Sequence, residues 1–266
     1  MILSDNLRYV PKRIWHMAPS IEYYPLDENV VIEALCRLEE FRRFYHGEYE
    51  PREENLKIEW CHAPTLSGSW AETCINLETG NNAILLENFQ VNHVTALLAA
   101  HEVLHVIRKI ENKSITIEVN ERYPEYSDAA KNLNSMFEDY IIDSILKDRY
   151  GFDLAYFYAD VDLRRNETLL NLQNIIEPTE KADVLRDVFL YACQSLKWDL
   201  INHAESKQKW NEYQNLFGRK YPNVWRSGEM LLSVVRESRR DTHEDKQALF
   251  EKIVTIYDLL DILYMG

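Results

Sequence analysis

The chain has 266 residues, 46% of them hydrophobic and 28% charged, enough to bury a core of one large or two small domains and unlike a disordered or fibrous protein. A formal net charge of −14, with no Lys/Arg run, argues against nucleic acid or anionic lipid as a partner. No stretch approaches the ~18 apolar residues that span a bilayer, the N-terminal MILSDNLRYVPKRIW lacks the pattern of a secretory signal, and Cys36, Cys61, Cys74 and Cys193 form no CxxC pair, so a cytoplasmic protein with reduced thiols is expected.

Residues 1–26 show no periodicity and no clear structural role, which leaves them free to act as an autoinhibitory segment across a cleft. From Asp27, the apolar residues Val31, Leu35, Leu38, Phe41 and Tyr45 recur at helical spacing to about His46, and the charged stretch Glu48–Asn55 reads as a loop. Leu56, Ile58 and Trp60 alternate with charged residues as in a half-buried strand. Thr73–Leu77 and Ala83–Leu86 flank a Gly/Asn-rich break suited to a hairpin. Asn92 is placed to cap a strongly apolar helix to about Ile110. Ser127 is placed to cap another to about Tyr150, with Gly151 where a left-handed residue ends it. Helices are then expected around 179–203, 207–217, 224–239 and 243–264, with Trp198, Trp210, Trp225 and the stripe Ile253, Ile256, Tyr257, Leu260 and Leu263 as bundle core. The fold class is α+β, mostly α.

The apolar helix contains His101-Glu102-Val103-Leu104-His105, an H-E-x-x-H pattern. A four-residue step returns a helix to within about 40° of its start, so both imidazoles lie on one face and reach one Zn²⁺, while Glu102 points to the adjacent side, toward a metal-bound water. From Val94 to Ile107 Glu102 is the only acidic residue and no Lys or Arg intervenes. Two imidazoles and a carboxylate in so apolar a helix are costly unless paired or metal-bound.

Several residues could complete the site. Arg108 and Glu111 stand where a metzincin-type site needs Gly and His or Asp. Cys61 and Cys74 lie in sequences unlike a deformylase Cys motif. His62 is open, and His93 lies about 80° round the helix from His101. The remaining source is Leu133–Asp143, a helix carrying Glu138, Asp139 and Asp143 among apolar residues.

HEVLH followed by NSMFEDYIID resembles the gluzincin branch of the zincin metallopeptidases, in its compact members, over roughly residues 56–150. The resemblance implies zinc held by His101, His105 and Glu138, with Glu102 as catalytic base. Ile142 stands where many gluzincins carry Asp, whereas Asp139 and Asp143 do show that four-residue spacing. Asp139 as ligand, with Asp143 behind it, is therefore the alternative, and Glu138 is preferred for its longer arm.

The expected organisation is a zincin-like core over 1–160, its small sheet packed on the H-E-x-x-H helix, followed by a helical subdomain over 161–266. The expected activity is zinc-dependent hydrolysis of a peptide or protein substrate. The expected route is a zinc-bound water activated by Glu102, with Tyr140, Tyr150, Tyr156 or Tyr158 as oxyanion donor and the strand ending near Leu86 as an edge for peptide addition. The alternatives are a zinc hydrolase of non-peptide amides and a non-catalytic helical interaction protein with a vestigial metal site. Nothing in the sequence signals an oligomeric state.

Overall fold

A sheet of short strands occupies the N-terminal third. The structure, a computed structural model, describes residues 12–14, 21–64, 66, 70–87, 89–164, 176–240 and 242–266. Five strands, β1 (Lys12–Ile14), β2 (Ile21–Pro25), β3 (Ile58–His62), β4 (Ala71–Ile75) and β5 (Asn82–Leu86), are ordered β1-β2-β3-β5-β4. β3 and β5 run parallel, with Trp60 opposite Ile84, and β4 runs antiparallel to β5, with Thr73 also opposite Ile84. Side chains directly opposite share a face. Trp60, Ile84 and Thr73 therefore point one way, and Tyr23, Cys61, Cys74, Ala83 and Leu85 form a buried cluster on the other.

The expected hairpin is present, and Gly80 closes it at φ 73°, a conformation that favours glycine. The strand expected to offer a free edge does not: β5 is paired on both sides, by β3 and by β4, and the edge falls to β4. Two further expectations change. The N-terminal helix is broken into α1 (Glu28–Leu35) and α2 (Glu39–Phe44), and the charged stretch expected as a loop is helical. It runs through a π turn at Tyr45–Tyr49, a 3-10 turn at Glu50–Arg52 and the short α3 (Glu53–Leu56). Arg52 supports this stretch by pairing with Glu48 at 3.1 Å and with Glu111 at 2.9 Å. Of the autoinhibitory segment, β1 and β2 belong to the sheet, and 1–11 and 15–20 lie outside the described residues.

Two compact units are defined by the chain's own contacts, Met1–Glu111 with Ile145–Asp153, and Asn112–Ser144 with Leu154–Gly266. In the first, α4 (His93–Ile110) packs on β4 and β5. In the second, α5 (Ser127–Ile145) is followed by the short α6 (Ala155–Phe157) and then by α7 (Lys181–Asp199), α8 (Ala204–Lys220), α9 (Pro222–Glu237) and α10 (His243–Ile256). α7 and α9 approach so closely at Gly228 that a Cβ there would come within 2.5 Å of the Tyr191 ring.

Trp198 and Trp210 stack at 5.1 Å in this helical core, whereas Trp225 is 38% exposed. The last helix stops at Ile256 rather than near 264, because Asp258 turns left-handed at φ 53°. Leu263 then enters β7 (Leu263–Met265), which pairs with β6 (Ile117–Val119). No helix among the described residues is long and apolar enough to cross a membrane.

Candidate metal centre

α4 starts where the sequence places it. The Asn92 side chain accepts from the Thr95 amide at 2.8 Å, satisfying one of the donors a helix start leaves open. Arg108 and Lys109 in the last turn oppose the negative end of the helix dipole. Along this helix His101 and His105 face each other one turn apart, ring centroids 4.9 Å apart and Nε2 atoms separated by 3.1 Å. Two nitrogens sharing a tetrahedral zinc at about 2.0–2.1 Å lie about 3.3–3.4 Å apart, so the observed spacing is close to that of a ligand pair. His101 and Glu102 are each only 9% exposed.

Among the described residues, His101, His105 and Asp139 each offer one ligand atom, and these atoms lie within 4.8 Å of one another, a group that could hold a metal ion. Two imidazoles and a carboxylate suit zinc and its first-row neighbours and are ill-suited to magnesium or calcium, which take oxygen ligands. The donor set therefore fits a transition metal.

Asp139 is paired with a lysine of its own unit. Lys197, on α7, donates its Nζ to Asp139 Oδ2 at 2.8 Å and lies 5.4 Å from the Tyr158 ring centre. Burial disfavours charge on Lys197, but Asp139 first, with Cys193, Tyr158 and Asp143, keeps its pKa well above the ordinary lysine value. One turn along α5, the fully buried Asp143 accepts from the Tyr158 hydroxyl at 2.6 Å. Burial, with Asp143 adding to it, pushes that phenol well above its usual range. The neighbouring Cys193 thiol is pushed up to about 12, chiefly by burial.

Glu138, the preferred third ligand from the sequence, has different company. Its Oε1 accepts from Lys246 Nζ at 2.6 Å and from the Ile115 amide at 3.3 Å, and Lys246 also donates to the Lys113 carbonyl at 2.8 Å. Consecutive residues of a helix point about 100° apart, so Glu138 and Asp139 serve different sides of α5. The group that includes the two imidazoles contains Asp139.

Other candidates are also placed. Cys61 and Cys74 are buried in the sheet cluster, and His62 Nε2 lies 3.1 Å from the Glu87 carbonyl. His93 is in the first turn of α4, half-exposed and paired with Glu40. Of the tyrosines, Tyr150 donates to Glu48 at 2.6 Å and Tyr158 to Asp143. Tyr140 lies under the Arg240 guanidinium at 4.3 Å, and Tyr156 is 47% exposed.

Neither Lys197 nor Thr73 is a candidate from the sequence alone. Lys197 shares a helix stripe with the buried Phe189 and Cys193 at four-residue spacing, a lone cation on an apolar face and so a readable signal. Thr73, on β4, donates its hydroxyl to Glu102 Oε2 at 2.7 Å, and nothing in the local sequence marks it. Compared with known proteins, the chain matches no family model, no curated protein and no solved structure.

Proposed function

We propose that this chain is a zinc-dependent peptidase with His101, His105 and Asp139 as metal ligands and Glu102 as general base. The observation that carries the reading is the gathering of two imidazoles and a carboxylate around a common point. Glu102 follows the first ligand directly on the same helix turn and is steadied by Thr73. The resemblance of HEVLH to the zincin pattern supports zinc over the other metals this donor set accepts.

Bound zinc would supply a polarised water and a Lewis acid for the substrate carbonyl. Glu102 takes the proton of the attacking water and returns it to the departing amine. Its near-complete burial removes competing bulk water and strengthens its electrostatic contacts. Lys197 draws charge from Asp139, which would make that carboxylate a weaker donor to a bound metal. The edge of β4, unpaired among the described residues, offers backbone groups to an extended peptide, the usual way an open sheet edge binds one.

Metal removal tests the reading. Dialysis against a zinc chelator is expected to abolish cleavage of a mixed peptide library, and one equivalent of zinc to restore it where magnesium and calcium do not. Cleavage that survives complete removal of the metal would refute the proposal. Turnover of small acylated amines in place of peptides would move it to a non-peptide amide hydrolase.

A further inference from the structure

Among the described residues β4 is the last strand of its sheet, and its hydrogen-bond phase follows from its ends. The Glu87 amide donates to the Trp70 carbonyl at 3.1 Å and the Asn76 amide to the Asn81 carbonyl at 2.9 Å. In an antiparallel pair, residues alternate between those bonded to the partner strand and those whose N–H and C=O point away from it. Positions 70, 72, 74 and 76 thus turn their backbone to β5, in the register Glu72 opposite Leu85 and Cys74 opposite Ala83. Ala71, Thr73 and Ile75 turn theirs outward, where no strand pairs among the described residues.

Thr73 is therefore in an unusual position. Its backbone faces the open edge, and its side chain lies on the α4 side of the sheet with its hydroxyl 2.7 Å from Glu102 Oε2 and 3.3 Å from the Glu102 carbonyl. A hydroxyl carries one proton, and the shorter contact, to a carboxylate, is the stronger bond. Thr73 thus engages one oxygen of the Glu102 carboxylate, Oε2.

Resting on the peptidase reading, we infer that Thr73 is the positioning residue of the general base. It fixes the Glu102 carboxylate through Oγ while its N–H and C=O dock the backbone of the substrate peptide. Seating a peptide on β4 and aiming the base are then functions of one residue, and a shift of that strand moves both.

The test uses the full zinc-loaded chain and the quenched fluorescent peptide that wild type cleaves fastest in a mixed library. In Thr73→Val, which keeps the shape and the strand preference, kcat is expected to fall about 10-fold or more for loss of a hydrogen bond to a charged group. KM should stay within about twofold because the backbone groups remain, and zinc content should stay at the wild-type level. Thr73→Ser, which restores the hydroxyl, should recover most of kcat. Wild-type kcat in Thr73→Val would overturn the inference and leave the peptidase reading standing, as would equal impairment of Val and Ser variants or loss of zinc in Thr73→Val. No peptide cleavage by zinc-loaded wild type would overturn both.

Discussion

Glu102→Gln is expected to retain zinc and lose peptide hydrolysis by about 10²–10⁴-fold, the usual contribution of a positioned general base. The amide is nearly isosteric, and its oxygen can still accept from the Thr73 hydroxyl now 2.7 Å from Oε2. What is lost is the capacity to take a proton. Because His101 and His105 are untouched, metal content should match wild type, which separates a defect in proton transfer from a defect in the site. Steady-state kinetics on purified protein, with zinc measured on the same preparation, decides it. Full activity in Glu102→Gln would assign the chemistry to another residue.

The second large effect concerns stability. Lys246 is 2% exposed and its Nζ reaches both Glu138 and the Lys113 carbonyl, with the Glu138 side chain 6% exposed. A buried ion pair adds little over an apolar pair, yet removing one partner strands a charge. Lys246→Met is therefore expected to cost about 3–5 kcal/mol in denaturant unfolding. Adding Glu138→Gln in the same chain should return much of the loss, because the amide still accepts from the Ile115 N–H and carries no charge. A Lys246→Met variant as stable as wild type would show that this pair is not held in the folded core.

These contacts explain what the sequence could and could not reveal. α4 and the β4–β5 hairpin are legible because their signals are local: an Asn cap, an uninterrupted apolar run, and a Gly/Asn-rich break between two short strands. The helical turns across Glu48–Asn55 were not legible, because their charged residues suit a loop and the Arg52 pairing with Glu111 comes from 59 positions away. Leu260 and Leu263 continue the apolar spacing of the last helix past its observed end at Ile256, while the strand that captures Leu263 lies near residue 117.

The metal group was half legible. His101, Glu102 and His105 follow from one turn of helix, but the choice between Glu138 and Asp139 depends on which side of α5 faces which neighbour. Arm length, the reason for preferring Glu138, carries less weight than partners: Lys246, 108 positions on, engages Glu138, and Lys197, 58 positions on, backs Asp139.

Whether His101, His105 and Asp139 hold a metal is decided by elemental analysis of purified wild type, Asp139→Asn and Glu138→Gln. Losing an outer partner of a ligand costs about 10–100-fold in metal affinity, and losing the ligand itself should cost more. One zinc per chain is expected in wild type and in Glu138→Gln, with Asp139→Asn emptied by a chelator that leaves wild type loaded. Zinc retained in Asp139→Asn and lost in Glu138→Gln, or no zinc taken up by wild type, would refute a site built on His101, His105 and Asp139.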